Sequence, residues 1–189
     1  MMEKNTAVFL DRDGTINEEV GYLSRLEQLK LYHFTFEAIR IINENGMKAV
    51  VVTNQSGVAR GLFDEDFVQT VHDRINKMLA DKNAFIDRFY YCPHHPTEGN
   101  EPYLKSCNCR KPEPGMLIRA SEELDIDLSR SYMVGDMAKD IELAKRVGAR
   151  GILVKTGYGK NVISPDIKPV YVARDVLDAI NWIMLDRKK

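Results

Sequence analysis

The run Ala49-Val50-Val51-Val52 has no polar residue and no alternation, so a strand made from it must be covered on both faces. That requirement excludes a one-sided antiparallel sheet and points to helices packed above and below. Other short apolar runs repeat the pattern at Ala7–Leu10, Phe89–Tyr91, Tyr132–Val134 and Gly151–Val154, with a short strand near Val170–Val172. Helical spacing separates them. From about Phe34 to Asn45, Phe36, Ile39 and Ile42 share a face, and Gly46 stops the helix. Asp64 is placed to cap a helix with the stripe Phe67, Val71, Ile75, Met78 and Leu79. Further helices are predicted over about 115–124, 138–147 and 176–185. Strands alternating with helices imply right-handed crossovers and a mostly parallel sheet in a three-layer, Rossmann-like α/β fold.

With 189 residues the chain suits one domain, 1–189, and no repeat or linker divides it. Its 27 basic and 28 acidic residues give a net charge of -1, which argues against broad nucleic-acid binding. The sequence contains neither a membrane-length apolar run nor a signal peptide, so a cytoplasmic protein with no membrane partner is expected.

Chemistry-bearing residues gather where the strands end. Asp11-Arg12-Asp13-Gly14-Thr15 follows the first strand, Thr53-Asn54-Gln55-Ser56 the second, and Gly135-Asp136 with Asp140 the fourth. Arg110-Lys111-Pro112 closes a proline-rich loop. Open α/β sheets bind ligands beyond the carboxyl ends of their strands. The set supplies two acids one residue apart, hydroxyl and amide donors, two cations and a further acid pair, an inventory that fits phosphoryl transfer. Three neighbouring carboxylates repel one another unless a cation lies among them, and oxygen ligands select Mg²⁺. Taken singly, each feature has a plainer reading: a surface turn, a strand-end hydroxyl, a solvated lysine or an ordinary helix aspartate. Their order along the chain makes that joint reading improbable.

The four segments, in this order, resemble the haloacid dehalogenase-like (HAD) phosphatase superfamily. The resemblance implies that Asp11 attacks phosphorus and forms an aspartyl-phosphate, and that Asp13 serves as general acid and then base. It further implies that Thr53 and Lys111 steady the phosphoryl group. Mg²⁺ would be held by Asp11, Asp136 and the backbone carbonyl of Asp13, with Asp140 as a buttress.

A second signature is Cys92-Pro93-His94, twelve residues (95 to 106), then Cys107-Asn108-Cys109. Three thiolates and an imidazole make a closed tetrahedral Zn²⁺ set, suited to clamping a loop (about 92–110) that lacks its own core. His95 is the competing imidazole, with a less suitable spacing. Free buried thiols are the alternative. His33 and His72 have no partners nearby in sequence and read as surface or packing residues, and Tyr90 and Tyr91 as sheet residues. Because the loop runs straight into Arg110-Lys111, zinc is expected to fix the angle at which these cations reach the site.

With this loop, the chain is similar to the D-glycero-D-manno-heptose 1,7-bisphosphate 7-phosphatase family within that superfamily. The matching segments include Phe9–Asn17, Gly21-Tyr22, Val52–Gly57, Ala59–Gly61, Tyr91–Pro96, Cys107–Pro112 and Tyr132–Asp136. The resemblance implies substrate contacts from Asp11, Arg12 and Asp13, from Glu19, Val20, Gly21 and Tyr22, from Thr53, Asn54, Gln55 and Ser56, and from Arg110 and Lys111. Met137 departs from the family, where lysine is common. A thioether cannot replace an ammonium at a sugar phosphate. The stretch between Asp13 and Asn54 is too short for a large cap domain, so an open, shallow pocket for a polar sugar bisphosphate is expected, in a monomer. Histidinol-phosphate phosphatase is the alternative, and a nucleic-acid 3′-end phosphatase a more distant one.

Overall fold

A computed structural model describes residues 4–161 and 167–188. Six strands form one sheet in the order β3-β2-β1-β4-β5-β6, and every pairing is parallel. They are β1 (Ala7–Leu10), β2 (Lys48–Asn54), β3 (Arg88–Cys92), β4 (Tyr132–Gly135), β5 (Arg150–Val154) and β6 (Tyr171–Ala173). The helices are α1 (Thr35–Glu44), α2 (Glu65–Ala80), α3 (Gly115–Glu123), α4 (Ala138–Val147) and α5 (Val176–Asp186). The sheet is thus parallel throughout among the described residues, where the sequence predicted a mostly parallel one.

Successive strand residues point to opposite faces, and the two cores follow that alternation. Val8, Leu10, Ala49, Val51 and Val134 pack with Ile39 and Ile42 of α1, Val71 and Ile75 of α2, and Ile180 and Ile183 of α5. Ala7, Phe9, Val50, Val52 and Met133 pack on the other face with Met116 and Leu117 of α3 and Leu143 and Ala144 of α4. Each fully buried aliphatic side chain contributes about 1.5–3 kcal/mol. As predicted, Asp64 caps α2, its carboxylate accepting from Phe67 N at 2.8 Å.

The topology also chooses where the site lies. β1 has β2 on one side and β4 on the other, so the chain direction of winding reverses between β1 and β4. At that switch point a crevice opens beyond the strand ends, and Asp11 and Asp136 leave β1 and β4 into it.

Candidate active site

Asp11, Asp136 and Asp140 each present a carboxylate oxygen, and these oxygens lie within 4.8 Å of one another. All three residues are buried. Lys111 enters from the loop side and its Nζ lies 2.8 Å from both Asp11 Oδ1 and Asp140 Oδ1. Burial opposes a charged lysine here, but Asp11 and Asp140 outweigh it and hold the Lys111 pKa above its ordinary value. Burial pushes the Asp11 carboxyl up, with Asp140 adding to it, while Lys111 and Lys139 oppose the rise. Asp136 is pushed up to about 7 by burial first and by Asp11 second. With all three carboxylates ionised, one buried ammonium leaves two negative charges. A divalent cation is the complement to that deficit, and hard oxygen donors are what Mg²⁺ takes.

Asp136 divides its oxygens between two tasks. Oδ2 accepts from Tyr158 N at 2.8 Å, while Oδ1 is buried with no partner among the described residues. A buried carboxylate oxygen without a donor fits a metal ligand. Asp140 is turned inward instead, accepting from Met137 N at 3.0 Å and bracing Lys111.

Asp13 stands apart from this cluster. Its carboxylate accepts from Arg12 Nε and Nη2, from Asn17 Nδ2 at 2.9 Å and from Gln55 Nε2 at 2.9 Å. Burial alone would raise its pKa, but Arg12 and the amide donors hold it below the usual carboxylate range. Arg12 is almost wholly buried, its Nε and Nη2 bonded to Asp13 and its Nη2 also to Gln55 Oε1 at 3.0 Å. The side chains of Arg12 and Gln55 therefore orient Asp13. Gln55 also donates to Thr53 Oγ1 at 2.8 Å, so one amide ties the buried Thr53 to Asp13.

Asn54 sets Lys111 through its side chain. Asn54 Nδ2 donates to Lys111 O at 3.1 Å, and Lys111 N donates to Asn54 Oδ1 at 3.0 Å. Ser56 follows on the loop beyond β2, where its carbonyl accepts from Arg60 N at 3.1 Å.

The cysteine loop begins where β3 ends. Cys92, His94, Cys107 and Cys109 bring three sulfurs and one imidazole nitrogen within 4.8 Å of one another. Sulfur separations are 3.2 Å for Cys92 and Cys109, 3.3 Å for Cys107 and Cys109, and 3.5 Å for Cys92 and Cys107. His94 Nδ1 lies 3.5 Å from Cys109 Sγ. The Cys92 hydrogen bond draws the Cys109 thiol down to about 5, with Cys107 and His94 assisting against burial. This donor set fits Zn²⁺, which is bound by thiolate and imidazole in closed tetrahedra. His95 faces elsewhere: its Nδ1 accepts from Glu98 N at 3.0 Å, and its Nε2 lies 3.5 Å from Arg60.

Two loops make the walls. Arg110 Nη1 donates to His94 O at 3.0 Å, tying the cation to the cysteine loop. Arg60 pairs with Glu98 of that loop and stacks over Tyr22 at 5.6 Å, so the 19–22 segment and the cysteine loop meet there. Val20 and Tyr22 are exposed, and the Glu19 carboxylate bends back to accept from Gly21 N. A pocket of about 410 Å³ lies against Glu18, Glu19, Tyr32, Gly157 and Tyr158. A larger groove of about 1000 Å³ runs between β3 and α3 and is lined by none of the strand-end carboxylates. His72 is a buried packing residue and His33 an exposed one.

Tyr158 and the turn that carries it were not picked out from the sequence. The contact to Asp136 is a backbone one, so residue type gives no sign of it; the spaced glycines Gly157 and Gly159 are the only hint.

Residues 108–179 match the HAD-hydrolase-like family model. The D-glycero-β-D-manno-heptose-1,7-bisphosphate 7-phosphatase of Photorhabdus laumondii is 45% identical over 157 residues, 82% of this chain and 83% of that protein. The corresponding phosphatase of Thermosynechococcus vestitus is 43% identical over 94% of each chain. Among solved structures, the D,D-heptose 1,7-bisphosphate phosphatase of B. bronchiseptica, complexed with magnesium and phosphate, superposes with a TM-score of 0.84 at 30% identity. That match covers 96% of this chain and 99% of the other. With its strand-end carboxylates, buried lysine and cysteine loop, the chain is a HAD-type phosphoric monoester hydrolase and belongs to the family of heptose 1,7-bisphosphate 7-phosphatases.

Proposed function

We propose that the protein is an Mg²⁺-dependent phosphatase that removes the 7-phosphate of D-glycero-D-manno-heptose 1,7-bisphosphate. The observation that carries the catalytic reading is the buried cluster in which Lys111 meets Asp11 and Asp140 while Asp136 keeps a free oxygen. The substrate is supported by the names of the relatives and by an open mouth walled by polar loops.

Asp11 attacks phosphorus through a carboxylate oxygen as the P–O bond to carbon 7 breaks, giving an aspartyl-phosphate. Lys111 and the Thr53 hydroxyl hold the phosphoryl oxygens as charge shifts among them. Asp13 delivers a proton to the leaving alkoxide, then takes one from the water that cleaves the intermediate. Arg12 and Gln55 hold Asp13 ionised, so it must take up a proton from solvent before it donates one to the leaving oxygen. Asp11, Asp136 and the Asp13 carbonyl would hold Mg²⁺, which supplies charge neutralisation between nucleophile and phosphate. Cys92, His94, Cys107 and Cys109 would hold Zn²⁺, which would supply no chemistry and stiffen the wall that carries Arg110. Glu19 to Tyr22, Asn54 to Ser56 and Arg110 face the sugar and its second phosphate.

The product belongs to the synthesis of nucleotide-activated heptose for lipopolysaccharide or another surface glycan, carried out in the cytoplasm by a monomer. No helix among the described residues is long and apolar enough to cross a membrane. The test is phosphate release over a panel of sugar bisphosphates, histidinol phosphate and 3′-phosphorylated oligonucleotides, with ³¹P spectra to identify the phosphate lost. The heptose bisphosphate should lead and lose its carbon-7 phosphate. Faster turnover of histidinol phosphate would transfer the assignment to that substrate.

A further inference from the structure

The turn after β5, Gly157–Asn161, reaches the Asp136 carboxylate through its backbone. Tyr158 N donates to Asp136 Oδ2 at 2.8 Å, and Asp136 Oδ1 is left buried without a partner among the described residues. The same turn closes around that carboxylate. A Cβ on Gly157 would lie 2.1 Å from Asp136 Oδ2 and 2.6 Å from the Cα of Gly14. From the opposite side, a Cβ on Gly14 would lie 2.2 Å from the same oxygen and 3.1 Å from the Cα of Gly157. Both glycines have positive φ, +52° and +79°, where any other residue is strained. Two glycines remote in sequence therefore meet over one aspartate and leave its carboxylate a single position.

The turn is itself fastened. Gly157 lines one pocket with Tyr32, whose ring stacks on Phe34 at 5.0 Å beside α1. Gly159 packs on the carbonyl of Val154, where a Cβ would come to 1.8 Å. None of these contacts needs a particular side chain at 157 or 158 except the absence of one at 157.

We propose that the Gly157-Tyr158 turn is a positioning element for the divalent cation, occupying Asp136 Oδ2 so that Oδ1 alone is presented as a ligand. The proposal rests on reading Asp11 and Asp136 as the Mg²⁺ site. Groups that orient metal ligands typically change affinity by about 10- to 100-fold when removed. A side chain at 157 would displace the carboxylate and break the Tyr158 hydrogen bond together. Replacing the tyrosine ring would do neither.

The test measures Mn²⁺ binding, as a Mg²⁺ probe, by electron paramagnetic resonance on zinc-loaded protein. Gly157→Ala should weaken binding at least ~10-fold in folded protein with parent-like zinc content, its melting temperature lowered by the strain of a side chain at positive φ. Tyr158→Ala, which keeps the N–H, should bind Mn²⁺ within about twofold of the parent, well below that range. Parent-like affinity in Gly157→Ala would overturn the proposal, as would a tenfold loss in Tyr158→Ala. No Mn²⁺ binding by the parent would instead remove the metal-site reading itself. Should Gly157→Ala fail to fold, the parent decides the matter by nuclear magnetic resonance. The Tyr158 amide should shift during Mg²⁺ titration with the midpoint of cation binding, and an amide unmoved at saturation would reject the role.

Discussion

Asp11 and Asp136 are carried on the ends of β1 and β4, whose residues are all buried, whereas Cys92, His94, Cys107 and Cys109 lie in and around a loop with almost no regular structure. The carboxylates are placed by a hydrophobic core that exists whether or not a cation is bound. Cys92 shares that support as the last residue of β3, but Cys107 and Cys109 pack only at the core's edge, on a loop defined by a few hydrogen bonds and the approach of the thiols to one another. In the first region the protein balances much of the charge itself, with Lys111 against Asp11 and Asp140 and Arg12 against Asp13. In the second the balance must come from an ion. Lys111 joins the two, two residues after Cys109 and pinned to Asn54 at the end of β2.

If the strand-end cluster is preformed chemistry, changing its nucleophile should leave the architecture and abolish the reaction. Asp11→Asn should lower kcat by at least ~10⁴-fold, because the amide is a poor nucleophile. Asp13→Asn should cost about 10²–10⁴-fold. Melting temperatures near the parent's and unchanged zinc content would locate both losses in chemistry. Phosphate release by Asp11→Asn within tenfold of the parent would break the covalent reading.

The cysteine loop should fail in the opposite manner, structure first and rate second. Cys107→Ser or chelation should release about one Zn²⁺ per chain and open the 92–109 segment to protease while β1, β2 and β4 stay folded. Activity should then fall about 10- to 100-fold, through Arg110 and Lys111. Full activity in protein stripped of zinc would show that the wall is held by its own hydrogen bonds, among them Asn100 N to Ala59 O at 2.8 Å.

The contrast also explains what the sequence could disclose. The strands were legible because both faces of each need apolar cover, and Asp11 and Asp136 because carboxylates just beyond such strands have few structural uses. The cysteine spacing was legible for the same reason, few alternatives. Arg12 was less so: the resemblance implies a substrate contact, and only the structure shows its Nε and Nη2 engaged by Asp13 and Gln55. The Gly157-Tyr158 turn was hidden because a backbone N–H leaves no mark on residue choice. Asn17 was hidden too, its polar segment reading as a plain loop although its amide donates to Asp13 Oδ1.

Arg110 tests the junction of the two regions. One of its nitrogens holds His94 O, and the remaining donors are available for a second phosphate or sugar hydroxyls. Arg110→Ala should reduce kcat/KM for the bisphosphate about 10- to 100-fold, the scale of a lost charged hydrogen bond. For p-nitrophenyl phosphate the loss should be about twofold, since that ester has nothing to place at the wall. Equal losses on both esters would assign Arg110 to the loop or to the transferring phosphoryl group.

The smallest effect sharpens the comparison from the scaffold side. His72 on α2 is 1% exposed, stacks on Phe89 at 4.4 Å and has no hydrogen-bond partner at either ring nitrogen among the described residues. Burial, aided by the nearby Arg12, holds its pKa down at about 3. The unfolded chain takes up this proton near pH 6.5 and the folded one does not, so His72 contributes stability that is lost as pH falls from about 6.5 toward 3. Each pH unit in that window is worth about 1.4 kcal/mol. His72→Phe keeps an aromatic ring against Phe89 and removes the titration. Urea unfolding at pH 7 and pH 5, with zinc content measured at both, should show a smaller acid loss in the variant by about 2 kcal/mol. The same acid loss in both proteins would move the sensitivity from the helix under Arg12 to the metal loop.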